Sequence, residues 1–238
     1  LFMAEVYWDL EWTLQQQGFD FTYDKRLYDR LVSRDAPAVR GHLQAAPDFQ
    51  ERSARFLENH DEPRAAATFE PEQHRAAAVI TFFLPGLRFF HEGQFEGRQV
   101  HVSMHLGRRP EELQDPGLHA FYERLLQVFG REEVHGGRWQ LAECRPAWQG
   151  NPTWDRFIVM SWEGVGGGRL LVVVNYGPTQ AQCYAQLPFR ENTGTVVLQD
   201  LLDEHRYERD GADLAARGLY LDLPPWGRHV FAVQRVIH

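Results

Sequence analysis

The 238-residue chain is poor in sulfur and in lysine: it has two cysteines (Cys144 and Cys183), three methionines and the single lysine Lys25. Two isolated cysteines make neither a disulfide framework nor the paired CxxC spacing of a structural zinc site, so the sequence gives no reason to expect a metal. They fit a reducing compartment, and a cytoplasmic location is expected. No apolar run approaches the roughly 20 residues of a membrane helix, and no basic flank leads into a short apolar stretch with a small-residue cleavage site, so no membrane partner is expected. Positive charge is also scarce. Twenty-five Lys and Arg stand against 33 Asp and Glu, a formal charge of −8, whereas a general binder of nucleic acid needs a cationic face to displace counterions. Nucleic acid is therefore excluded as a partner class. There is no repeat at a fixed period and no low-complexity tract. The segment "GVGGG" (Gly164 to Gly168) has no helix after it and reads as a hairpin loop, not a phosphate loop.

What is present is apolar surface: 43% of the residues are hydrophobic and 13% aromatic, enough for one large domain or two modest ones. The first half alternates strand and helix signals. Strands are predicted over Phe2 to Glu5, Phe19 to Asp24, the segment "RFLENHDEPR" from Arg55, and "LRFFH" from Leu87. Between them lie a short polar helix at Glu11 to Gln17 and a helical stretch carrying Leu27, Leu31, Val39 and Leu43. That stretch breaks at "RDAP", where Asp35 caps and Pro37 enters a first turn. A further helix starts near Pro71 and stops at Pro85-Gly86. After a loop from Glu92 to Pro110, "DPGLHAFYERLLQVFG" presents Leu118, Phe121, Leu125 and Phe129 on one face. Four strand-helix units in succession imply a parallel sheet with helices outside. Beyond about Trp139 the pattern becomes short strands separated by Gly, Pro, Asn and Asp turns, the signature of an antiparallel sandwich. The expected domains are residues 1–135 and 136–238. Trp148, Trp154 and Trp162 are expected to fill the core of the second.

Parallel α/β folds carry their functional side chains where strands end at the carboxyl side. Those ends hold Glu5 with Tyr7 and Trp8, then Asp24, then Asn59, His60 and Asp61, then His91 and Glu92. Two carboxylates, imidazoles and a flat indole face suit a sugar. His91 and Glu92 are read as loop-end ion-pairing residues.

"FMAEVYW" (Phe2 to Trp8) and "FLENHD" (Phe56 to Asp61), in that order and followed by "PGLRFFHEG", resemble signature regions of the alpha-amylase family, glycoside hydrolase family 13. The resemblance implies the second half, strands 5 to 8, of a (β/α)8 barrel followed by an antiparallel β-sandwich domain. It also implies catalytic roles for two residues: Glu5 as general acid/base, and Asp61 as the residue that holds the ring hydroxyls and stabilises the oxocarbenium-like transition state. His60, Trp8 and Tyr7 would bind substrate, an α-glucan or α-glucoside, with no cofactor. Such chemistry needs one carboxyl protonated and another ionised. Where many relatives carry an acidic residue soon after the Gly of the last strand, this chain has Gln94 and Phe95.

A retaining glycosidase also needs a nucleophilic carboxylate about 5–5.5 Å from the acid. The family places it in a Gly-x-Arg-x-Asp motif that this sequence does not contain. The expectation is a C-terminal portion of a longer enzyme, inactive alone, that pairs with the missing N-terminal half of the barrel or with itself. Alternatives are a glycosyl-transferring or isomerising member of the family, and a non-catalytic relative serving as a binding or assembly module.

Overall fold

A computed structural model describes residues 1–189 and 194–236. The chain divides into two compact units, Leu1–Tyr122 and Glu123–His238.

In the first unit four short strands, β1 (Met3–Ala4), β2 (Phe21–Tyr23), β3 (Ser53–Arg55) and β4 (Leu87–Arg88), form a parallel sheet in sequence order. Met3 lies opposite Phe21, Thr22 opposite Ser53, and Ala54 opposite Leu87. The helices between them are α1 (Glu11–Gln16), α2 (Lys25–Val32), α3 (Ala36–Leu43), α4 (Pro47–Glu51), α5 (Ala65–Thr68) and α6 (Pro71–Phe82). The break expected at "RDAP" separates α2 from α3. Asp35 accepts the Ala38 amide at 2.9 Å as N-cap of α3, and Asp24 caps α2 by accepting the Leu27 amide at 3.1 Å. These oxygens take up amides left without partners in a first helical turn. In α6 the run from Ala76 to Phe82 is buried all round, as its sequence, apolar except for Thr81, requires.

The strands are shorter than the sequence suggests, and β3 is shifted. It pairs from Ser53 and ends at Arg55, where the Phe89 amide donates to the Arg55 carbonyl at 2.8 Å. Phe56 to Asn59 continue buried but unpaired. Gly86 sets the entry to β4. It adopts φ +103°, and a Cβ there would lie 2.2 Å from the Ser53 carbonyl oxygen, so only glycine lets the two segments approach.

Arg55 is fully buried. Its guanidinium pairs with Asp24 and hydrogen-bonds the Gln50 side chain, and Nε donates to the Pro85 carbonyl at 3.2 Å. Asp24 also meets His42 Nε2 at 2.9 Å. One network therefore joins the end of β2, α3, α4 and the approach to β4.

The helix α7 (Pro116–Phe129) carries the boundary between the units; α8 (Glu132–Gly136) follows it. The second unit has a six-stranded sheet in the order β11-β10-β13-β8-β7-β5 and a three-stranded sheet in the order β12-β9-β6. Their ranges are β5 Arg138–Leu141, β6 Glu143–Arg145, β7 Phe157–Glu163, β8 Arg169–Asn175, β9 Ala181–Gln186, β10 Thr195–Asp200, β11 Arg206–Asp210, β12 Leu219–Leu223 and β13 Arg228–Val236, with α9 (Gly211–Arg217) between β11 and β12. All pairings here are antiparallel. Side chains of both sheets share one apolar cluster that includes Cys144, Val159, Val173, Cys183, Leu198 and Leu221.

The loop Gly164 to Gly168 joins β7 to β8 as a hairpin, closed by the Gly164 amide on the Gly168 carbonyl at 2.8 Å. Trp162 is buried and Trp154 packs against the apolar cluster, but Trp148 is 55% exposed in the turn after β6, contrary to the expected core position. Its Pro-Ala-Trp-Gln-Gly setting is a turn, whose side chains have no sheet to cover them. No helix among the described residues is long and apolar enough to cross a membrane.

Removing one partner of a buried ion pair strands the other charge, at a cost of about 3–5 kcal/mol. Arg55→Met should lose stability of that order in urea unfolding followed by tryptophan fluorescence. The double variant Asp24→Asn/Arg55→Met should lose less than the sum of the single changes; additivity would show that the two groups do not interact.

Candidate functional site

β1 and β3 run parallel, so the residues just beyond them emerge on the same edge of the sheet. Past β1, Glu5 and Tyr7 project there. The chain then turns through Trp8 and Asp9, both with left-handed backbone (φ +62° and +69°), a conformation uncommon outside glycine and costly to hold. This turn leaves Trp8 84% exposed, edge-on to the Tyr7 ring at 5.8 Å.

Past β3, buried Asn59 builds a tight turn: its Oδ1 accepts the amides of Asp61 at 2.9 Å and Glu62 at 2.8 Å. The side chains of His60 and Asp61 are thereby turned toward Glu5. His60 Nε2 lies 3.7 Å from Glu5 Oε1 and 3.5 Å from Asp61 Oδ1, and one polar atom from each of the three residues lies within 4.8 Å of the others. A single small group, a sugar hydroxyl or a cation, can touch all three at that spacing.

The Tyr7 hydroxyl donates to Glu5 Oε1 at 3.2 Å. Partial burial first, and then the Glu5 and Asp61 carboxylates, push the Tyr7 phenol well above its ordinary pKa. Tyr23, at the end of β2, is raised by burial and by the same two carboxylates. It packs against Phe56 and Phe89 at ring distances of 5.3 and 5.7 Å. The cluster is therefore an anionic rim above an aromatic floor.

The five residues singled out in the sequence thus stand together: Glu5, His60 and Asp61 converge, Tyr7 holds Glu5, and Trp8 flanks Tyr7 with its face open. Asp24 does not join them, because its carboxylate is committed to Arg55, His42 and the α2 cap. His91 accepts a hydrogen bond from Arg64 at 3.0 Å and lies 3.5 Å from the Glu58 carboxylate, and Glu92 pairs with Arg109. Gln94 faces inward and donates to the Tyr122 hydroxyl at 2.8 Å, while Phe95 stacks on the Tyr122 ring at 4.7 Å. An acidic side chain at position 94 would be buried there.

Sequence reasoning did not find the buried Glu58, which accepts the Ala65 amide at 2.6 Å and pairs with Arg64 at 2.9 Å. A carboxylate inside "FLENHD" next to an apolar pair was the only signal. It also missed Tyr23, which reads as an ordinary strand aromatic.

Among solved structures, a noncanonic maltogenic alpha-amylase from Thermotoga neapolitana superposes on 99% of this chain with a TM-score of 0.72 at 15% sequence identity, with 54% of its own length covered. The chain has the fold of part of an alpha-amylase. The alpha-amylase of Geobacillus thermoleovorans, solved with acarbose, matches at TM-score 0.73 and 16% identity over 99% of this chain and 53% of its own. The Nostoc punctiforme debranching enzyme matches at 0.66 and 14%, over 97% and 50%. No protein-family model and no curated protein matches the chain. It spans about half the length of the amylase structures it matches, and the resemblance read from its short motifs holds at the level of the fold. The paired antiparallel sheets belong to the C-terminal part of that amylase architecture.

The Tyr7 phenol should ionise above the roughly pH 10 of free tyrosine, read as the ultraviolet difference between the wild-type protein and Tyr7→Phe while circular dichroism reports a folded chain. Replacing the carboxylate in Glu5→Gln should move that midpoint down. An unmoved midpoint would mean that the two groups are apart in solution.

Proposed function

We propose that this chain is the acid/base half of an alpha-amylase-type glycosidase acting on α-glucosidic bonds with retention. The observation that carries the reading is the convergence of Glu5, His60 and Asp61, from the ends of the parallel strands β1 and β3 that flank β2, within 4.8 Å.

Glu5, held by the Tyr7 hydroxyl, protonates the glycosidic oxygen as the bond breaks, then takes the proton of the incoming water or sugar hydroxyl. Asp61 presents its carboxylate to the ring hydroxyls and the developing positive charge. His60, between the two, donates to the same ring. Trp8 offers its open face for the apolar side of a neighbouring sugar.

The covalent intermediate needs a nucleophilic carboxylate that this sequence does not carry in the expected motif. The reading therefore assigns it to the other half of a barrel whose strands would complete the sheet. Both β1 and β4 have one unpaired edge within this sheet, and Leu1 and Phe2, which lead into β1, are exposed. Unpaired edges next to apolar surface are unstable in water unless covered. The other half of the barrel is the cover proposed here; in its absence, a second copy of this chain takes the same surface.

Calorimetry with maltotetraose tests the site directly. Asp61→Asn and His60→Ala should each weaken binding at least about ten-fold, or about 1.4 kcal/mol. The chain alone should not turn over substrate. Joined to a half that supplies the Gly-x-Arg-x-Asp strand, it should release products of retained anomeric configuration, and Glu5→Gln should lower kcat by about 10²–10⁴. Turnover by the purified chain alone that disappears in Glu5→Gln would overturn the assignment of the nucleophile.

A further inference from the structure

Three residues past Asp61 the chemistry changes sign. Arg64, Arg98, Arg108 and Arg109 line one cleft of about 400 Å³ together with His91 and Glu92, in a protein whose net charge is −8. Two of the four guanidiniums are paired with carboxylates, Arg64 with Glu58 and Arg109 with Glu92. Among the described residues, Arg98 and Arg108 have no such partner. The remaining carboxylate of the cleft, Glu112, is taken by the amides of Gln99 and Val100 at 2.7 and 3.2 Å.

The convergence is built into the backbone. Gly93 has φ +87°, and a Cβ there would stand 2.6 Å from Arg64 Nη2 and 2.4 Å from Arg98 Cδ. Only glycine lets both side chains seat against this turn. The Nε atoms of Arg64 and Arg98 are buried, and neither has a hydrogen-bond partner among the described residues. Gathering like charges is costly, and that cost is lowered by a ligand that brings negative charge and several acceptor oxygens into the cleft. A phosphate does both, and its oxygens match the guanidinium fork.

The cleft adjoins the Glu5 cluster. His101, on the loop that walls the cleft, meets the His60 carbonyl at 2.8 Å, and His91 joins Arg64 at 3.0 Å. We propose that this cleft is a phosphate subsite, so that the ligand set against Glu5, His60 and Asp61 is a phosphorylated sugar or a sugar accompanied by free phosphate. The inference rests on the reading of those three residues as a sugar site.

The test is a set of titrations of the whole chain, followed by nuclear magnetic resonance at constant ionic strength, with glucose, glucose 6-phosphate, inorganic phosphate and glucuronate. Glucose 6-phosphate should bind at least ten-fold more tightly than glucose, and Arg98→Gln should remove that advantage while leaving glucose binding unchanged. Should Arg98→Gln fail to fold, Arg108→Gln, whose side chain is exposed, gives the same readout. Inorganic phosphate binding as tightly as the ester would assign the subsite to free phosphate. Glucose binding that is lost in Asp61→Asn, with no gain from the phosphate group, would overturn the phosphate subsite and leave the sugar site standing. Glucuronate binding as tightly as glucose 6-phosphate would overturn it as well.

Discussion

A guanidinium group with no exposure to water has to find its counter-charge and its acceptors within the protein, and Arg55 finds them on three separate segments. Asp24, Gln50 and the Pro85 carbonyl belong to the end of β2, to α4 and to the approach to β4. Strands of two or three residues supply few ladder bonds, so the first unit cannot rely on sheet pairing alone to fix where its strand ends lie. The Arg55 network ties the ends of β2 and β3 to the approach to β4, and His60 and Asp61 follow directly from the end of β3. A charge retained in a core costs desolvation; here it coincides with the place where three loops must keep register.

Above that network the rim is divided by charge. Glu5, Asp61 and Glu62 make one side anionic. Within the next few residues the Arg64–Glu58 pair begins the cationic side, which the turn at Gly93 extends to Arg98. Asn59 and Gly93 are the pivots, one supplying a side-chain acceptor to two backbone amides, the other a backbone conformation. Both decide which way the functional side chains face.

Much of this arrangement was legible in the sequence, for reasons that differ by element. The helix cap at Asp35 and the Pro-Gly entry to β4 are local chemistry, decided by neighbours in the chain, and they fall where the sequence puts them, whereas Asp24, read as a strand-end group, caps α2. The six apolar or alternating strands of the second unit were equally plain. The strands β5, β6 and β11 were not, because each lies at the margin of its sheet and is largely exposed, so burial never imposed a pattern on them. At the site, "AEVYW" and "ENHD" marked the positions of Glu5, His60 and Asp61. The inward turn of Gln94 depends on Tyr122, 28 residues away, and left no periodic trace, while the Glu58–Arg64 pair lies in an irregular loop that no periodicity marks. Trp148 was misplaced because an aromatic in a turn looks, in a sequence, like any other aromatic.

The two sulfhydryl groups, finally, are confined to one half of the molecule. Cys144 on β6 and Cys183 on β9 are both free and buried in the apolar cluster shared by the two sheets, and residues 1–122 contain no cysteine. A thiol-modifying reagent can reach them only after those sheets separate. The rate of alkylation is therefore a clock for the opening of the sandwich alone, blind to whatever happens around the parallel strands.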